Sequence, residues 1–172
     1  MKAVLLAIAL VFPGHGAGPV VAEPGLKTVV IDPGHGGKDP GCVCRDGKTY
    51  EKNLALDISL RLGKMIRDSL PDVKVLNTRG DDRFIPLINR AKFATGNDAD
   101  LFISVHINAQ EKGTNANGYS IHLLGESRDK TKDTYAFNMD VCRRENSVIL
   151  LEDDYKTTYK GFWATIRRVP YS

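Results

Sequence analysis

The stretch Thr28-Val-Val-Ile-Asp-Pro-Gly-His-Gly-Gly37 constrains this chain more than any other segment. An unbroken β-rich run over Lys27–Asp32 suits a strand buried on both faces, which is the habit of parallel sheets. The run breaks at a Pro-Gly turn that presents His35 between glycines. Those glycines let the backbone turn sharply and keep side chains away from a ligand. Leu101-Phe-Ile-Ser-Val-His-Ile-Asn108 repeats the design, an apolar strand ending on His106.

Between these segments the chain alternates strand and helix patterns. Pro33–Lys48 reads as a glycine-rich polar loop. A helix comes next over about 50–69, with Thr49 as its N-cap, a stripe of Leu54, Ile58, Leu62 and Ile66 facing the core, and Pro71 enforcing the stop. Val73–Asn77 is a strand. Pro86–Thr95 is a helix with proline in its first turn. Leu101–His106 and Tyr119–Leu124 are further strands, and a helix is expected over about 131–143. Strands separated by helices predict an α/β domain, a mostly parallel sheet flanked by helices. At 172 residues and 42% hydrophobic content, one domain has enough apolar material for a core.

In such sheets ligands bind beyond the carboxyl ends of the strands. His35 lies just past one strand end and His106 closes another. Glu51 opens the helix between them. Taken singly, His106 would be a satisfied core histidine, and Glu51 an acid favoured at a helix N-terminus. Placed together, two histidines and a carboxylate are a zinc-type donor set with one position open, the arrangement of hydrolytic sites. Cobalt or manganese would also suit these donors. His122 lies on a later strand and is read as a non-ligand. Gly37-Lys38 superficially suggests a phosphate loop. It fails that pattern twice, with Asp32 where the first glycine belongs and Asp39 where Ser or Thr belongs.

The net charge of +3 and the absence of basic runs alternating with aromatics argue against nucleic-acid binding. The first 22 residues read as an export signal. Lys2 is the positive end, Val4–Phe12 the apolar segment, and Val20-Val-Ala22 the cleavage site before Glu23. A first core strand or helix is the competing reading of the same apolar run, which is too short for a permanent membrane span. The chain divides accordingly into a signal, 1–22, and one catalytic-type domain, 23–172. His15 falls in the signal. Cys42, Cys44 and Cys142 are an odd count, so at least one thiol is unpaired. The C-x-C spacing is read as incidental.

Several stretches together are specific: Val30-Ile-Asp-Pro-Gly-His-Gly-Gly37, Glu51-Lys-Asn-Leu54, Thr78-Arg79 with Arg90-Ala91, Ala99–Ala109 and Gly118-Tyr119. In this order the chain resembles the zinc-dependent N-acetylmuramoyl-L-alanine amidases of bacterial cell walls. The resemblance implies Zn²⁺ on His35, Glu51 and His106. It also implies peptidoglycan as substrate, hydrolysis of the amide between muramic acid and L-alanine, and a general acid for the departing amine. Asp32 is a candidate to orient a ligand histidine. Arg79 and Asn108 are candidates to meet substrate, with Arg79 equally able to pair with Asp81 or Asp82. The resemblance further implies export to the periplasm or cell envelope, and a protein activator is compatible with it. A helical His-Glu-x-x-His is absent, which argues against the usual metalloprotease arrangement.

The sequence departs from the family at its C-terminal side. A catalytic glutamate on a late Val-Glu-x-Gly-Phe strand has no counterpart here. The expectation is a domain lacking the family's last helix and strand, with the catalytic acid unassigned. Glu126, Glu145 and Glu152 are possible surrogates, none singled out by context. The alternative function is then a catalytically impaired protein that only binds zinc or peptidoglycan.

Overall fold

The structure is a computed structural model that describes residues 4–11, 25–44, 46–108, 118–123 and 145–158. Its elements in chain order are β1 (Val4–Val11), β2 (Thr28–Pro33), α1 (Glu51–Ser69), β3 (Lys74–Asn77), α2 (Leu87–Gly96), β4 (Leu101–Asn108) and β5 (Gly118–Leu123). A 3-10 turn (Asn146–Leu151) and a short α3 (Tyr155–Thr158) complete them. The helix expected over 131–143, together with His15, Glu126 and Cys142, lies outside the described residues.

The strands form one sheet in the order β3-β2-β4-β1-β5. β2 is parallel to both β3 and β4. This is the parallel part that the alternating pattern predicts. β2 is buried along all six residues, as its unbroken apolar run requires. Its residues alternate between two cores. Val29 and Ile31, with Val105 of β4, pack under Ile58, Leu62 and Ile66 of α1. Val30, with Phe102 of β4, packs against Phe93 and Ala94 of α2. The helices therefore cover opposite faces of the sheet.

β1 runs antiparallel to β4 and parallel to β5, filling the place between them. These are residues of the apolar segment read as part of an export signal. In the chain that retains them, they are a sheet strand. Among the described residues no helix is long and apolar enough to cross a membrane.

Two details of α1 differ from the sequence expectation. Its fully buried line is Glu51, Ala55, Ser59 and Gly63, one position beyond the expected stripe. Those residues are small after Glu51, so the helix backbone approaches the sheet closely, and Ile58, Leu62 and Ile66 flank the contact. The N-cap is Tyr50, with no side-chain cap bond. Thr49 instead donates its hydroxyl to Asp46 Oδ2 at 2.8 Å. In α2, Pro86 is the N-cap rather than a first-turn residue. The N–H of Leu87 is capped from a distance by the Glu152 carboxylate at 2.9 Å.

Candidate metal centre

The parallel register aligns Asp32 with Ser104 and Pro33 with Val105. Gly34 continues it, its N–H donating to the Val105 carbonyl at 2.9 Å. This places Gly34 against the His106 ring. A Cβ on Gly34 would lie 2.4 Å from His106 Cε1, so only glycine fits. The chain then enters the left-handed region at His35, with φ of 61°, and stays at positive φ through Gly36 and Gly37. A non-glycine residue held there costs about 1–3 kcal/mol and persists only where its surroundings over-determine it.

Two buried arginines supply that determination. Arg90 of α2 donates to the Pro33 carbonyl at 2.8 Å, the His35 carbonyl at 2.8 Å and the Ile85 carbonyl at 3.0 Å. Arg79 donates to the carbonyls of Pro33 at 3.0 Å, Gly34 at 2.7 Å, Lys52 at 2.8 Å and Asp81 at 3.0 Å. It is 1% exposed. This corrects the expectation that Arg79 meets substrate or pairs with Asp81 or Asp82 through its side chain. Four of its five N–H donors go to main-chain oxygens, and its work is to hold the loop.

Asp32 is also corrected. It accepts from Thr78 Oγ1 at 2.5 Å, Arg90 Nη1 at 2.9 Å and Ser104 Oγ at 3.0 Å, a buried network beneath the loop rather than a contact to a ligand histidine. Arg90→Ala would leave the Asp32 carboxylate buried and short of a cation. The expected loss is about 3–5 kcal/mol of folding stability, read by denaturant unfolding. A loss below about 1 kcal/mol, the ordinary worth of an exposed pair, would remove the pair from the fold's supports.

His35, Glu51, His106 and Glu145 converge, each offering one ligand atom, all within 4.8 Å of one another. His35 Nε2 lies 3.1 Å from Glu51 Oε1, 3.6 Å from Glu145 Oε2 and 3.1 Å from His106 Nδ1. His106 Nδ1 lies 3.3 Å from Glu51 Oε1 and 2.9 Å from Glu145 Oε2. Glu51, 3% exposed, is fixed from behind: Cys42 N–H donates to Oε2 at 2.9 Å and Ile107 N–H to Oε1 at 2.7 Å. Gly41, at φ of 64°, passes so close that a Cβ there would meet His35 and Glu51 at 2.6–2.8 Å.

The set fits zinc. Tetrahedral coordination at about 2.0–2.2 Å places ligand atoms about 3.3–3.6 Å apart, close to the 2.9–3.6 Å of the histidine contacts in this group, whose atoms all lie within 4.8 Å. Two imidazoles and two carboxylates are also the right donor types. Three ligands stand on the rigid frame of β2, α1 and β4. The fourth, Glu145, stands at the head of the 3-10 turn. That turn is anchored by buried Ile149 and by Glu152, which caps α2. Four protein donors make a closed site, whereas catalytic zinc keeps one position open.

Electrostatics within the cluster arise from its composition. Burial disfavours a charged His35, but hydrogen bonds and charge from Asp39 and Glu51 outweigh it and hold the pKa at about 9. His106 is likewise raised, against its burial, by bonds to Glu145 and Glu51. Burial works to raise the pKa values of Glu51 and Glu145, but their histidine partners depress both instead. In the metal-free cluster His35 thus carries its second ring proton at neutral pH. A metal must displace it. Loading zinc near pH 7 is expected to release at least one proton per ion. Calorimetry in buffers of different ionisation enthalpy measures this, and a buffer-independent heat would contradict it.

Sequence reasoning found His35, Glu51 and His106, which the fold brings together. It did not single out Glu145, whose position depends on the path of a distant segment. It also missed Asp39, which contacts His35, although His35-x-x-x-Asp39 in a glycine-rich loop was a readable signal. Asn108 closes β4, its backbone opposite Val4. His122 is buried on β5 with its Nε2 3.1 Å from Ser120 Oγ, outside the four-residue group. Cys42 and Cys44 lie in the loop beside Glu51 and outside that group as well.

The profile of the Amidase_3 family, described as N-acetylmuramoyl-L-alanine amidase, matches residues 29–168. N-acetylmuramoyl-L-alanine amidase AmiA of Escherichia coli (strain K12) is 34% identical over 121 residues, 69% of this chain and 41% of that protein. An endolysin of Bacillus phage SPP1 is 46% identical over 87 residues, 51% of this chain and 31% of that protein. A crystal structure of an N-acetylmuramoyl-L-alanine amidase from Clostridium difficile 630 is 40% identical, with a TM-score of 0.49, covering 52% of this chain and 48% of that one. The chain thus spans well under two thirds of the length of these relatives.

Proposed function

Because the chain belongs to the N-acetylmuramoyl-L-alanine amidase family, we propose that it hydrolyses the amide between N-acetylmuramic acid and L-alanine in peptidoglycan, with Zn²⁺ on His35, Glu51 and His106. The observation that carries this reading is the convergence of those three side chains at the carboxyl ends of β2 and β4. Zinc bound there would supply Lewis acidity toward the amide carbonyl and lower the pKa of water toward neutrality.

The chain's own residues do the rest. The carbonyl clamps of Arg79 and Arg90 hold His35 in place before any ion arrives. Glu51 brings the charge that makes the donor set anionic. Asn108, two residues beyond His106 at the end of β4, is the candidate to hydrogen-bond substrate. Glu145 must withdraw from at least one histidine before water and substrate can reach the centre. A protein partner that draws the turn Asn146–Leu151 away would act as an activator. Export on residues 1–22 to the cell envelope accords with a wall substrate. Cleavage there would also remove β1 and leave the facing edges of β4 and β5 to be covered otherwise.

A second reading is favoured by one observation, the closed four-donor set. It makes the protein a zinc- or peptidoglycan-binding relative with little turnover. The test is cleavage of a muramoyl-L-alanyl peptide by the zinc-loaded chain, monitored as newly freed L-alanine amine, with His35→Ala as control. Zinc-dependent cleavage absent from the control supports the amidase. A folded, zinc-loaded chain without cleavage leaves the binding reading in its place.

A further inference from the structure

His35 has two ring nitrogens, and the site needs a particular one of them free. Nε2 is the atom facing Glu51, His106 and Glu145. Nδ1 points away and lies 2.7 Å from Asp39 Oδ2. A carboxylate can only accept in such a bond, so in the neutral ring that binds a metal the proton belongs on Nδ1 and the lone pair on Nε2. His106 faces the cluster with the opposite nitrogen, Nδ1. The two rings are 4.8 Å apart and close to perpendicular. Their nitrogen choices are thus unequal, and that of His35 is dictated by its partner.

Asp39 is itself fixed. Its main chain exchanges two hydrogen bonds with Gly36, at 2.9 and 3.1 Å, closing a small loop around His35. Its other carboxylate oxygen accepts from Gly41 N–H at 3.1 Å. It is 7% exposed. Gly36 cannot be replaced to relax this loop, because a Cβ there would sit 2.2 Å from the Arg83 carbonyl. The carboxylate cannot adjust to the ring, so the ring adjusts to the carboxylate.

We infer that Asp39 is the positioning residue of the metal centre: it fixes the tautomer and ring orientation of His35 and raises the donor strength of Nε2 toward the ion. The inference rests on the zinc reading of the site. Carboxylates hydrogen-bonded to metal-ligating histidines typically carry about 10–100-fold in metal affinity.

The test uses the full chain and Zn²⁺ itself, with affinity measured by chelator competition. Asp39→Asn removes the charge and keeps one acceptor oxygen, which can serve Nδ1–H of His35, while its NH₂ faces the part-buried Gly41 N–H that loses its partner. It is expected to weaken zinc binding about tenfold or more while the unfolding midpoint stays near that of the parent. Asp39→Ala should weaken binding further. The imidazole ¹⁵N spectrum of the zinc-loaded chain should show His35 protonated at Nδ1, with that resonance shifted in Asp39→Asn. Asp46→Asn is the control. Asp46 caps the neighbouring turn through Lys48 and Thr49 N–H, both at 2.9 Å, without touching a ligand histidine. It should leave zinc affinity unchanged. Equal affinity in Asp39→Asn and the parent would overturn the inference, as would a His35 resonance pattern with the proton on Nε2. Failure of the parent chain to bind zinc would overturn both this inference and the reading it rests on, a result distinguishable from the other two.

Discussion

Glu51→Gln is expected to lower zinc affinity by more than about 100-fold and to abolish amide cleavage. The argument is geometric before it is electrostatic. Both Glu51 oxygens already accept a main-chain N–H, from Cys42 and from Ile107. An amide has one oxygen and one NH₂, so either orientation turns a donor toward a donor in a buried place. That leaves a polar group unsatisfied, at about 1–3 kcal/mol. The amide also removes the negative charge that His35 and His106 share, and a neutral amide is a poorer ligand than a carboxylate. A partner contact one shell further out is typically worth about 10–100-fold, so loss of the ligand should exceed that range. Chelator competition gives the affinity and total zinc content the occupancy. Affinity within about tenfold of the parent, the low end of that range, would remove Glu51 from the ligand set.

The ligands on the frame were legible because each carries a local signal. A buried strand that stops at Pro33-Gly34 presents the side chain next in line, and that is His35. Leu101–His106 is apolar until its end. Glu51 opens a helix whose period is plain. The missing pieces depend on distant contacts. Arg79 and Arg90 belong to stretches that stand out in the sequence, but their role is legible only once the loop carbonyls they bind are placed beside them. The buried line of α1 is small residues, Ala55, Ser59 and Gly63. Apolar periodicity weights large side chains, so it favoured the flanking stripe. Val4–Val11 satisfies an export signal and a sheet strand alike, because both ask only for a short apolar run. Glu145 had no readable signal, since its place is set by how Ile149 and Glu152 dock against the rest of the domain.

Glu145→Ala is expected to raise amide cleavage about tenfold or more while weakening zinc binding. Glu145 Oε2 sits 2.9 Å from His106 Nδ1 and 3.6 Å from His35 Nε2, at ligand range from both. With it in place the protein would supply all four donors to a bound zinc, leaving no position for water. If the open form is a minor population, activity scales with that fraction, and a change that makes the open form dominant recovers its reciprocal. A rise of about tenfold corresponds to an open fraction of about one tenth. Three donors remain on the frame, so zinc should still bind. The turn itself keeps its anchors at Ile149 and Glu152, so the fold should be little disturbed. The competing role for the same carboxylate is proton transfer to the departing amine. A general acid removed in this way would instead cost about 10²–10⁴ in rate. The two roles move the rate in opposite directions, so one steady-state measurement on the zinc-loaded variant decides between them. Glu152→Gln offers an independent check. It weakens the cap on Leu87 N–H without touching the centre. If docking of the turn is what holds Glu145 in place, it should raise the rate in the same direction with zinc affinity less affected.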